Sequence, residues 1–253
     1  NPRIIFGGLS KDVIFATPLR DNVLRPDALL AQIRALAPGD GSRKRRRAAL
    51  HLPDFAVRVT VLDFDDFPSD PKEQASLVRF RLKRTIPFDV DSAALSFYAQ
   101  GERSKTRKKV DVVAAVAPLE VVAHYEAPFR LAGFHLGHIT TSALAALDLV
   151  PTTGVQILTK KTGRVLTLAV LAQGVLRLVR TIELTDFNAE EIAGHLFPTL
   201  AYVEDQIAAS PDTLLFCGFG PTSGEALSWF ESELGVRTGA LSSRWGQPGE
   251  FNA

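Results

Sequence analysis

Apolar and polar positions along this 253-residue chain alternate in two blocks of strand-like and helix-like runs. Two short strands are expected within 1–18, around the turn-rich Gly7-Gly8-Leu9-Ser10-Lys11-Asp12. Pro26 and Asp27 open a helix whose apolar face is Leu29, Leu30, Ile33 and Leu36, and Pro38-Gly39 closes it. Strands over 48–52 and 57–62 follow, with His51-Leu52-Pro53-Asp54 between them. Asp70-Pro71-Lys72-Glu73 then supplies an N-cap, a proline at the first helical position and a carboxylate three residues after the cap. Along that helix Leu77, Phe80, Arg81 and Arg84 recur at helical spacing, an apolar seam with a strip of cations beside it. Pro87 disfavours helical backbone at Ile86 and ends the run.

The strands 94–100 and 110–117 read as a hairpin around a charged loop. Pro118 starts a helix with Val121, Val122, Tyr125 and Phe129 inward, stopped by Gly133. A strand over 134–140 and a short apolar helix over 142–150 complete the first block. Pro151-Thr152-Thr153-Gly154 is a domain joint, because three strands follow it, over 155–159, 165–172 and 175–182. Their turns are Lys161-Thr162-Gly163 and Gln173-Gly174. Asn188-Ala189-Glu190-Glu191 caps a helix expected to kink at Pro198 and to reach about residue 209. A strand over 213–219, a helix over 222–234 stopped by Gly235, and a short strand over 236–241 end the chain. Alternation in two blocks predicts α/β architecture in two halves, 1–150 and 151–253.

Composition narrows the function classes. Hydrophobic residues make up 46% and charged residues 23%, ordinary for a globular domain, and the net charge of +1 offers no field for nucleic acid. No apolar run reaches membrane-spanning length and no signal-peptide pattern opens the chain, so a soluble protein held at a membrane only by a partner is expected. Cys217 stands alone in the buried-strand pattern Leu214-Leu215-Phe216-Cys217, which excludes an intrachain disulfide and fits a reducing compartment. Met is absent altogether, unexpected at this length, so residues are expected to be missing from the sequence.

Motifs of chemistry are few. The Walker phosphate loop, the zincin helix and the nucleophile-elbow serine are all absent. His135 and His138 have a ligand-like spacing but no third ligand nearby, and strand alternation is expected to point them apart. Asp63, Asp65 and Asp66 read as a solvated loop end, since a hard cation needs more oxygens in fixed geometry. The basic runs 43–47 and 103–109 read as solvated turns, with anionic lipid headgroups as the sharper alternative. RNA is not expected, because no aromatic residues interleave with the cations. Gly218-Phe219-Gly220-Pro221-Thr222-Ser223 joins a strand to a helix N-terminus, where close backbone approach and free amides favour an anion. A capping box of Thr222 with Glu225 explains the same residues without a ligand.

Several motifs in order resemble the PilM family, the cytoplasmic actin-like proteins of type IV pilus assembly. They are Leu52-Pro53, Arg58, Phe67-Pro68, Ile86-Pro87-Phe88, Phe97-Tyr98, Ala132-Gly133, Arg180-Thr181-Ile182 and Gly218-Phe219-Gly220. The resemblance implies an actin-like fold of two halves, with 48–117 inserted in the first as a small α+β subdomain and the second half reduced. It also implies a non-catalytic scaffold that binds the cytoplasmic tail of an inner-membrane PilN-like protein, at the inner face of a bacterial membrane. Phe55, Arg58, Phe67, Arg79, Arg81, Ile86 and Phe88 are the candidate peptide-binding residues. Arg79 is expected to be exposed, and the cations to face the peptide's carbonyls or an acidic side chain. ATP-binding relatives carry an Asp-Ile-Gly turn on the first strand and a second Asp-x-Gly turn; neither is seen, and Lys160-Lys161-Thr162-Gly163 stands at the second. No cofactor is therefore expected and no metal. The alternatives are an actin-like ATPase holding ATP through Gly218, Gly220 and Thr222, or the actin-like module of a type II secretion protein. Self-association is left open.

Overall fold

The computed structural model describes residues 7–17, 21–39, 46–101, 109–186, 188–220 and 223–242. Helix α1 (Pro26–Leu36) buries Leu29 and Ile33, the pair at i and i+4 of the expected apolar face. The strands expected within 1–18 are not found among 7–17, where backbone pairing is limited to an isolated bridge between Ile14 and Val23. Residues 1–6 and 18 lie outside the described residues.

Strands β1 (Arg46–Leu52) and β5 (Phe134–Thr141) form a two-stranded parallel sheet. Between them in sequence lie β2 (Arg58–Phe64), α2 (Pro71–Leu82), β3 (Ala93–Gln100), β4 (Val110–Pro118) and α3 (Leu119–Leu131). Strands β2, β4 and β3 make a three-stranded sheet in that order. The N-cap of α2 is built as its sequence dictates: Asp70 Oδ1 accepts from the amides of Lys72 (2.9 Å) and Glu73 (3.0 Å). The apolar seam of α2 differs from the expected one. Val78 and Leu82 are its fully buried side chains, whereas Phe80 is 64% exposed and Leu77 half-buried.

A short helix α4 (Ser142–Ala146) leads to the five-stranded mixed sheet that carries the main core. Its strands are β6 (Val155–Thr162), β7 (Val165–Ala172), β8 (Val175–Glu183), β9 (Thr213–Cys217) and β10 (Thr238–Ala240), in the order β10-β9-β6-β7-β8. The chain can turn tightly from β7 to β8 because Gln173 and Gly174 both take positive φ, 52° and 74°. Alternation is lost in β6 and β7 because both faces are covered. Ile157, Leu166, Leu168 and Val170 pack on one face with Ile192 and Leu196 of α5 (Ala189–Tyr202) and Phe230 of α6 (Ser223–Leu234). Leu158, Ala169, Leu171 and Leu215 form a second cluster with Ala146 and Val150. Asn188 caps α5 through its side chain at the Glu191 amide (2.7 Å), and a π-helical turn, Val203–Ile207, follows α5 before Ala208 ends it at φ 54°.

The outer edge of β8 is covered by side chains. Gln100 imitates a neighbouring strand, accepting from the Leu176 amide (2.8 Å) and donating to its carbonyl (2.7 Å). Arg177 pairs with Asp111 in a largely buried salt bridge, and the Tyr202 hydroxyl donates to the Arg177 carbonyl at 3.2 Å. The chain forms two compact units. One comprises Asn1–Arg58, Arg79–Leu95 and Val116–Ser142; the other comprises Val59–Val78, Ser96–Ala115 and Ala143–Ala253.

Candidate functional site

The Ile86-Pro87-Phe88 turn lies in a stretch, 83–92, that joins α2 to β3 without regular structure of its own. Its backbone is held by specific bonds. The amides of Thr85 and Ile86 both donate to the Leu82 carbonyl, closing the end of α2 before Pro87. Arg79, one turn back on the helix, turns its guanidinium toward the stretch, with Nη1 donating to the Val90 carbonyl and Nη2 to the Ala93 carbonyl (3.3 Å). Arg79 is therefore half-buried and committed to the fold, which corrects its expected exposure. The guanidinium fork thus adds side-chain donors to both carbonyls, that of Val90 also accepting from the Ala93 amide (3.3 Å).

Beyond Val90 the stretch tightens further. Asp89 Oδ1 accepts from the Asp91 amide (3.1 Å), and the Ser92 hydroxyl donates to the Asp89 carbonyl (3.4 Å). The Ser92 hydroxyl, followed by the Asp91 amide, holds the Asp89 carboxyl below the usual carboxylate range. Lys83 pairs with Asp91 at 2.6 Å.

Held in this way, Phe88, Asp89 and Ser92 form one wall of an open cavity of about 600 Å³. Pro118, Leu119, Glu120 and Ala123, at the end of β4 and the first turns of α3, form the other. All of these residues belong to the first compact unit. Leu119 is 60% exposed at the mouth, although α3 buries Val121 and Tyr125 on its opposite side. Phe88 is half-buried. The cavity therefore has a largely apolar lining that also holds two carboxylates, Asp89 and Glu120. Leu119, Glu120 and Ala123 were not singled out from the sequence; a leucine directly after Pro118, outside the inward set Val121, Val122, Tyr125 and Phe129, was the available signal.

The other expected peptide-binding residues are distributed differently. Phe67 is interior, 5% exposed, with its ring 5.2 Å from that of Phe64 and edge-on to Phe97 at 6.3 Å, so it is core and not groove. Phe67 also falls in the second compact unit. Phe55 and Arg58 are half-buried and meet as a cation–π pair, the guanidinium carbon 5.8 Å from the ring centroid. Arg81 is exposed and Ile86 half-buried.

Of the basic run 43–47, Arg46 and Arg47 are described, and Arg46 has a structural role. It donates to the carbonyls of Pro38 (2.9 Å), Ala37 (3.0 Å) and Ala132 (3.4 Å) at the ends of α1 and α3, with its guanidinium 4.2 Å from the Phe134 ring centroid. Of the run 103–109, Lys109 is described; it bonds Asp63 at 3.1 Å and lies 3.9 Å from Asp65, linking the acidic loop end to β4. A register shift in β5 offsets the expected alternation: His135 stands opposite Arg47 and His138 opposite Ala49, so the two histidines share a face. Among the described residues no group of three or more His, Cys, Asp or Glu side chains could hold a metal ion.

At the glycine turn after β9, Gly218 has φ +84° and Gly220 φ +74°. A Cβ on Gly218 would stand 1.9 Å from the Lys161 carbonyl oxygen of β6, whereas one on Gly220 meets nothing within 4 Å. The need for glycine at 218 is thus met by strand packing. Thr222 lies outside the described residues. At the position of the second phosphate turn, Lys160 is buried and donates to Thr162 Oγ1 at 2.6 Å.

No family model and no curated protein matches this chain. Among solved structures, a chain of the PilM-PilN type IV pilus biogenesis complex aligns over 95% of this chain and 80% of its own length, with a TM-score of 0.68 and 21% identity. The cytoplasmic domain of EpsL, an inner membrane component of the type II secretion system of Vibrio cholerae, aligns over 77% of this chain and 68% of that one (TM-score 0.49, 14% identity). A Bacteroides thetaiotaomicron protein with an actin-like ATPase fold and unknown function aligns over 83% and 75% (TM-score 0.48, 13% identity). The first likeness shows the fold, an α/β chain of the actin-like class.

Three substitutions test these assignments by urea denaturation. Gly220→Ala costs about 1 kcal/mol from left-handed backbone alone. Gly218→Ala costs about 3 kcal/mol because the methyl also strikes backbone; equal losses would contradict the packing role. Arg79→Glu removes both donors from the 83–92 stretch and lowers stability by about 2 kcal/mol, whereas unchanged stability would return Arg79 to the surface.

Proposed function

We propose that this chain is a non-catalytic docking module of a type IV pilus assembly machine. It takes the cytoplasmic tail of an inner-membrane PilN-like protein into the cavity beside Phe88. The observation that carries this reading is the cavity itself: a turn with little freedom of its own faces an exposed leucine across about 600 Å³. The fold shared with a chain of the PilM-PilN complex supports the same class of partner.

An extended peptide suits this geometry, since it can lower one side chain into the cavity while its neighbours run along the mouth. Burying one leucine-sized anchor contributes about 2 kcal/mol, and a few such contacts reach micromolar affinity. Membrane association then comes through the partner, at the cytoplasmic face of the inner membrane. Among the described residues no helix is long and apolar enough to cross a membrane.

Two features support a role without ATP turnover. Gly218 is explained by the Lys161 carbonyl rather than by a phosphate, and a buried lysine stands where a magnesium-ordering carboxylate would be needed.

Calorimetric titration with a synthetic tail peptide of the PilN-like protein should give micromolar affinity. Leu119→Ser, at an exposed position, should weaken it about tenfold without changing the circular dichroism spectrum. Wild-type affinity in both Leu119→Ser and Phe88→Ala, each still folded, would remove this cavity as the site. Purified protein should release no phosphate from ATP and Mg²⁺ above a buffer control; steady magnesium-dependent release would contradict the non-catalytic reading.

A further inference from the structure

The charges around this cavity are the reverse of those the sequence led us to expect. Its lining holds Asp89 and Glu120, the Ser92 hydroxyl and the apolar surfaces of Phe88, Pro118, Leu119 and Ala123, and no cation. Arg79, one of the expected cations, is spent on the carbonyls of Val90 and Ala93. Lys83 attracts Asp89 at longer range, but its ammonium is 2.6 Å from Asp91. Counting Lys83 against Asp89, Asp91 and Glu120, this patch remains negative.

We infer that the docked peptide presents a lysine or arginine side chain to the cavity, its stem against Phe88, Leu119 and Ala123 and its charged head between Asp89 and Glu120. This rests on the docking reading above and specifies its chemistry. Long basic side chains are the residues that combine an apolar stem with a cationic head, and an apolar pocket with two carboxylates complements both parts. The cavity is about the size that shelters one such side chain and part of its backbone. Asp89 is pre-formed for this role. Its Oδ1 is fixed by the Asp91 amide, which leaves the other carboxylate oxygen for a cation. An acidic side chain, a phosphate or an anionic headgroup would meet repulsion here.

The test uses N-acetylated peptides, so that a terminal amine cannot supply the charge. The tail peptide of the PilN-like protein is compared with versions in which each arginine becomes citrulline or each lysine norleucine, in turn. Each is titrated into wild type and into an Asp89→Asn/Glu120→Gln double variant, which keeps the Oδ1 acceptor and the side-chain sizes. One neutralised peptide should bind wild type about tenfold more weakly than the parent. The double variant should bind the parent about tenfold more weakly too, and should no longer distinguish the two peptides. Parent affinity for wild type should also fall as salt rises from 0.05 to 0.5 M, roughly in step with screening of an ion pair near the surface. If the tail binds but neutralising its cations or the two carboxylates changes nothing, the inference is overturned while the docking reading stands. If folded wild type binds no tail peptide at all, the docking reading falls and takes this inference with it.

Discussion

Everything in the candidate site depends on how Arg79 disposes of two carbonyls. The stretch between α2 and β3 has no regular structure of its own, so turn bonds and side-chain donors must hold its backbone. Arg79 donates to Val90 and Ala93 from the last turn of α2, so the helix itself fixes where the stretch runs. Val78 and Leu82, fully buried on either side of Arg79, fix the helix in turn. Phe88, Asp89 and Ser92 then have little choice of position, and a wall of the cavity follows from one guanidinium.

The proline residues act at the same place by a different mechanism. Pro87 stops α2 from continuing, and Pro118 leaves the first helical position of α3 to Leu119, whose side chain is left at the mouth. A pocket assembled from a proline-terminated helix and a proline-initiated one is largely pre-organised, which reduces the ordering that binding would otherwise require. The main sheet solves a different problem. Strands β6 and β7 are covered on both faces, and the outer edge of β8 is covered by Gln100 and Arg177, so that unit carries the larger share of buried apolar surface.

Much of the fold was legible in the sequence for reasons that can be named. Caps are local: Asp70 and Asn188 each accept the amide bonds their motifs imply. Tight turns are local too, as Gln173-Gly174 shows. The faces of α2 were not legible. Leu77 and Phe80 have helical spacing, yet Val78 and Leu82 are the buried pair, because spacing identifies a stripe but not which neighbour covers it. Arg79 was misread for a related reason: its acceptors lie past a turn, and nothing in the periodicity reports a side chain reaching back to them. The acidic lining was invisible because Asp89 and Glu120 meet through the fold rather than through the chain. Phe67 shows the converse error, an aromatic beside a proline that is simply core.

The most direct test of the account is to observe where a bound peptide sits. Selective labelling of Leu, Phe and Tyr side chains would allow NMR titration with the PilN-like tail peptide. The account predicts saturable shifts at Leu119 and Phe88, with Phe80 and Tyr98, exposed aromatics outside the cavity, left unmoved. Shifts concentrated at Phe80 and Tyr98, with Leu119 and Phe88 unchanged, would contradict it.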